Sequence, residues 1–111
     1  MAVLTVVAFD SVQDVTLNDD SWTSLIGTPD TVVGTGTVMM IQGYVLNLNG
    51  RNSRIRFTID GTEVIKGSPD APLMYNATLS VGTHTIDFQA IAMEDEEATA
   101  GPHGLTVLNL L

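Results

Sequence analysis

The most constraining stretch is Arg54-Ile55-Arg56-Phe57-Thr58-Ile59, followed by Asp60-Gly61 and then Thr62-Glu63-Val64-Ile65. Its side chains alternate apolar and polar, the period-two pattern of a strand with one buried face. Asp-Gly is the residue pair of a primed two-residue turn, in which glycine accepts the positive φ the turn demands. A strand that reverses tightly in this way commits the chain to an antiparallel sheet. The rest of the sequence repeats the message. Strands are expected at Val3 to Phe9, Ser21 to Ile26, Thr31 to Val33, Thr37 to Leu48, Leu73 to Val81, Thr83 to Met93 and Leu105 to Leu111. Asp19-Asp20, Thr28-Pro29-Asp30, Asn49-Gly50 and Gly101-Pro102-His103-Gly104 punctuate them, and Lys66 to Pro72 reads as a loop interrupted by Gly67, Pro69 and Pro72. About eight to nine strands with turns every eight to twelve residues fit an all-β, antiparallel sandwich or jelly roll. The 111 residues fit one such domain, residues 1–111, without internal repeat or linker. Glu94 to Gly104 is expected to be an acidic loop.

Composition matters mainly for what it excludes. The net charge is −9, and Arg51, Arg54, Arg56 and Lys66 are the only basic side chains, which argues against nucleic acid and a bare anionic membrane. No apolar run is long enough to span a bilayer. MAVLTVVAFD has neither the basic start nor the long apolar stretch of a secretory signal, so Met1 reads as the natural start. With no cysteine there is no disulfide framework, thiolate metal site or thiol nucleophile.

Three strands are apolar in both phases: Val3 to Phe9, Val38 to Leu46 and, largely, Leu105 to Leu111. In a two-sheet sandwich each sheet has one core face and one outer face, so the second apolar face needs a cover, and a neighbouring subunit is the obvious one. If Met40, Tyr44 and Leu46 face the core, Met39, Ile41 and Val45 face outward; the opposite phase has the same consequence. Met39, Ile41 and Val45 are taken as the outward set, with ordinary core filling expected of Met40. Leu108 and Leu110 join the outward set as subunit-contact candidates. Arg54 and Arg56, on one strand face, are further candidates. They pair with carboxylates of a neighbour, bind an anion or, within the chain, pair with Asp60 or Glu63.

The segments Thr35-Gly36-Thr37-Val38-Met39-Met40-Ile41-Gln42-Gly43-Tyr44, Arg54 to Thr62, Ala77-Thr78-Leu79-Ser80-Val81-Gly82-Thr83-His84-Thr85-Ile86 and Gly104 to Leu110 carry a resemblance. Over residues 35–111 the chain resembles the small trimeric jelly rolls related to the complement globular head and tumour necrosis factor, in the version seen in tailed-bacteriophage structural proteins. The resemblance implies a homotrimer whose sheets meet around a threefold axis, acting as a virion component. The chain is shorter than the animal members and has no collagen-like stalk; fibre tips, by contrast, end much longer polypeptides. The resemblance therefore favours a capsid decoration (cementing) protein on the capsid surface, contacting the major capsid protein. The alternative is a trimeric recognition module, a receptor-binding fibre head or carbohydrate-binding domain. Few aromatic residues lie outside strands, which makes a sugar platform hard to build.

No catalytic constellation emerges, and the chain is expected not to be an enzyme. Glu94-Asp95-Glu96-Glu97 lacks the spacing and internal glycine of a Ca²⁺ loop and reads as a solvated acidic loop, and Asn18-Asp19-Asp20 reads as a turn. Two histidines cannot make a three-histidine zinc site, which leaves only a mixed site with Asp or Glu as an alternative. His84 is expected to be a partly buried strand residue and His103 a loop side chain. Asn76-Ala77-Thr78 matches a glycosylation acceptor but lies on a strand, and Trp22 is expected to cap the core. No metal and no cofactor are expected.

Overall fold

A computed structural model of the chain describes residues 4–12, 15–17, 21–46, 48, 53–92, 98–101 and 103–110. The strands are β1 (Leu4–Val12), β2 (Val15–Leu17), β3 (Thr23–Ser24), β4 (Asp30–Gly34), β5 (Val38–Val45) and β6 (Ser53–Ile59), then β7 (Thr62–Gly67), β8 (Leu73–Thr78), β9 (Gly82–Ala92), β10 (Ala98–Ala100) and β11 (His103–Leu110). Among the described residues there is no helix.

The chain folds as one long antiparallel ribbon rolled on itself. Its tip is the turn at Asp60-Gly61, where φ is 53° and 83°, the left-handed pair that the sequence calls for. Working back from the tip, β6 pairs β7, β5 pairs β8, β4 pairs β9 and β1 pairs β11. Successive rungs of this ribbon fall alternately in the two sheets. One sheet has the order β1-β11-β5-β8; the other has β9-β6-β7, with β3 and β4 both against the free side of β9. That nesting is the jelly-roll wrap. The fold is therefore an all-β sandwich, with a short β2-β10 ribbon beside it. The sequence reading missed this ribbon, because β10 falls in the stretch read as an acidic loop. Three-residue strands carry too little alternation to register.

The core lies between the sheets. Phe57 and Phe88 stand opposite each other in register, ring centroids 5.3 Å apart and planes tilted by 53°. Gly43, from the facing sheet, leaves them room: a β-carbon there would lie 2.9 Å from both rings. Met39, Ile41, Val45, Leu105 and Val107 line the same inner face as Gly43, all buried.

This corrects the phase assigned to β5. Met39 and Ile41 have no exposed surface and Val45 only 7%, so all three are core residues and not subunit contacts. The physical reason is Gln42. It shares its strand phase with Met40 and Tyr44, and turning that phase inward would bury an amide in a hydrocarbon core. The inward phase instead offers Gly43 to the two phenylalanines. Met40, expected in the core, is half-buried on the outer side.

Candidate functional site

The outer face of the β1-β11-β5-β8 sheet is the molecule's most unusual surface. Along β5 and just beyond it, Val38, Tyr44 and Leu46 are 42%, 37% and 52% exposed, and Met74 on β8 is 51% exposed. Register places Leu108 opposite Met40 on one side of this row, and Met74 opposite Gln42 on the other. The Tyr44 ring lies over Gly104, where a β-carbon would come within 2.6 Å of it. Glycine opposite an aromatic residue lets the ring lie flat on the sheet, a cross-strand pairing known to shield a glycine backbone. The result is a row of six apolar side chains, Val38, Met40, Tyr44, Leu46, Met74 and Leu108, interrupted among the described residues by the amide of Gln42 and flanked by Asn76, Thr78 and Thr106. Leu108 thus takes the outer position foreseen for it, half-buried. The Leu110 side chain lies outside the described residues.

Arg54 and Arg56 do not join this face. They stand on the outer side of the other sheet, where the polar side chains satisfy one another. Arg56 donates from Nε to Gln89 Oε1 at 2.7 Å and from Nη1 to Glu63 at 3.4 Å, and its guanidinium stacks 4.1 Å from the Trp22 ring centroid. Gln89 and Ser24 in turn donate to Asp87, at 2.8 and 2.7 Å. Asp87 is only 4% exposed although it points away from the core. Of the roles left open for the arginines, Arg56 takes the pairing with Glu63 within the chain, and Arg54 donates to the Ser53 carbonyl at 2.7 Å. Trp22 caps the arginine rather than the core. The sequence contained no signal for Ser24 and Trp22 joining this network, since both arrive from β3 and its approach. One sheet thus wears a closed polar lattice outside and the other an apolar row.

The histidines occupy opposite kinds of site. His84 is a partly exposed strand residue, as expected. Its Nδ1 lies 2.7 Å from Asp60 Oδ2, and its Nε2 lies 2.8 Å from the Ser80 carbonyl and 3.3 Å from Ser80 Oγ. Aspartate, imidazole and serine in that order evoke a hydrolytic triad, but the geometry opposes it. The carboxylate and the carbonyl both only accept, so these contacts favour a proton on each ring nitrogen, a form with no lone pair to activate Ser80. The hydrogen bond from His84, and then one from the Thr85 amide, holds the Asp60 carboxyl below its usual range. The same Asp60 contact, and then the Ser80 carbonyl, raises His84 above the ordinary imidazole value. The pair latches the hairpin tip to the β8–β9 turn.

A pH dependence follows. The His84 contribution to stability is complete below about pH 6.5, the unfolded imidazole value, and is lost as pH rises through the raised folded value. The Asp60 contribution is present above its unfolded value and lost as pH falls through the lowered one. The melting temperature is therefore expected to decline on going from pH 6 to pH 9. His84→Gln should flatten that decline; an unchanged slope in the variant would refute the latch.

His103 corrects its expectation. It opens β11, is fully buried, and sets its ring nitrogens 2.8 and 2.5 Å from the carbonyl oxygens of Gly101 and Leu25. Buried loop carbonyls need donors, and this side chain is placed to supply one where the β10–β11 corner meets the turn after β3. Among the described residues no group of His, Asp and Glu is arranged to hold a metal ion. The acidic stretches at 18–20 and 94–97 lie outside the described residues.

No family model and no curated protein sequence matches the chain. Among solved structures it is similar to one titled "Crystal Structure of FlhE", with a TM-score of 0.63 and 15% identity over 96% of each chain. At that identity the likeness speaks for the sandwich fold alone.

Proposed function

We propose that this chain is a non-enzymatic structural protein of a tailed-bacteriophage virion: a homotrimeric decoration protein that sits on the capsid surface and contacts the major capsid protein. One observation carries the reading, the outward apolar row Val38, Met40, Tyr44, Leu46, Met74 and Leu108, four of them exposed and two half-buried. Isolated exposed apolar side chains are ordinary, whereas apolar side chains clustered on one sheet face support burial against a partner. The count of three and the virion setting come from the family resemblance of residues 35–111. The net charge of −9 fits a protein partner better than nucleic acid or an anionic membrane. Capsids lacking the protein are expected to assemble but to rupture at lower temperature or under less internal DNA pressure, and adding the purified protein back should restore them. Particles of unchanged robustness that fail only at host adsorption would replace this reading with a recognition module.

A further inference from the structure

A second surface lies at the edge of the same sheet. Among the described residues β8 is bonded on one side only, by β5, and so presents a free row of backbone N–H and C=O groups. The other long edges carry devices that discourage pairing. In β7 these are Glu63, Lys66 and a register shift opposite Phe57/Thr58; in β1, a shift between Val6 and Ala8; in β4, Asp30 at the start. β8, Leu-Met-Tyr-Asn-Ala-Thr, has no charge, no proline and no shift in register.

The core is also thinly covered on this side. β7 lies across from β8, so close that a β-carbon on Gly67 would sit 3.1 Å from Leu73. Ile65 of β7 and Tyr75 of β8 pack against the core while remaining only partly buried. Tyr75 stands opposite Ile41 and therefore on the inner face. A strand laid beside β8 would place every second side chain over Tyr75 and Ile65.

We propose that β8 accepts an extended segment of a partner protein as a further strand of its sheet, one that alternates apolar residues with lysine or arginine. Main-chain pairing supplies the affinity and the alternating side chains the selectivity. The apolar phase closes the rim at Tyr75 and Ile65. The basic phase answers the chain's net charge of −9 and the exposed Asp70 just before β8. A second copy of this chain fits poorly here. Its own β8 offers no basic side chain, and the copy brings the same negative charge. This proposal does not rest on the trimer or on the virion setting.

The probe is a capped synthetic peptide about ten residues long that alternates valine and lysine, added to the full chain and followed by fluorescence anisotropy and amide hydrogen exchange. Saturable binding is expected, with exchange slowed about tenfold or more at β8 amides and unchanged at β7. Replacing the two central valines by proline, or all lysines by glutamate, should weaken binding by about tenfold or more. Asn76→Lys should do the same with no change in the melting temperature, since that side chain is exposed. Three results would overturn the proposal: no binding at millimolar peptide, equal binding of the proline peptide, or protection appearing on another strand. Protection of β8 that grows with protein concentration alone would show a second copy to be the occupant instead, and would also overturn it.

Discussion

Met39→Asp is expected to abolish cooperative folding, whereas Leu46→Asp is expected to leave a folded chain, although both residues belong to one apolar run. Met39 is wholly buried, with Ala77 on one side and Asn109 on the other in register. A carboxylate there would have no cationic partner, because the basic side chains described on the strands stand on the other sheet. An unpaired buried charge costs several kcal/mol, and a domain of this size has only about 5–15 kcal/mol of stability. Leu46 is 52% exposed, so a charge there meets water. Circular dichroism melts of the two variants decide the matter. A cooperative transition in Met39→Asp near that of the unaltered chain would contradict the inward phase of β5.

The second large effect concerns assembly. Light scattering on the unaltered protein at micromolar concentration should give about three times 11.8 kDa. Tyr44→Asp combined with Met74→Asp should give a folded monomer. The row these side chains belong to presents on the order of 300 Å² or more per subunit. Burying that area at about 25 cal/mol per Å² yields on the order of 7 kcal/mol per subunit before association entropy is subtracted. Two carboxylates in the middle of such a contact cancel most of it. Three subunits of charge −9 also repel one another, so added salt should tighten the trimer. A monomer of the unaltered chain would remove the case for self-association. A dimer would leave the apolar face as a contact but end the resemblance to the trimeric jelly rolls.

Much of this architecture could be read before any coordinates, because its signals are local. Alternation in 54–59, Asp60-Gly61 at the turn and the spacing of the punctuating residues are consequences of single strands and single turns, and they carried the all-β sandwich. The surplus apolar face was also legible, since β5 is apolar in both phases whatever it packs against. The phase itself was within reach: Gln42 beside Met40 and Tyr44, with Gly43 in the other register, points the amide outward. Which residues meet across the fold was not legible. Nothing near Asp87 in sequence announces that Ser24 will arrive from β3 to bond it, or that Trp22 will settle on Arg56. His103 sits among loop-forming residues, yet the fold turns it into a buried partner for the carbonyls of Gly101 and Leu25. Asp60 and His84 are 24 positions apart and meet only because the ribbon's tip curls beside the β8–β9 turn. Alternation and turn chemistry act over a few residues, so the sequence by itself determined the strands, the sandwich and the surplus apolar face. The pairing of distant segments depends on how the whole ribbon rolls, so only the tertiary structure decided which side chains meet across the fold, which histidine is buried and which edge is left open.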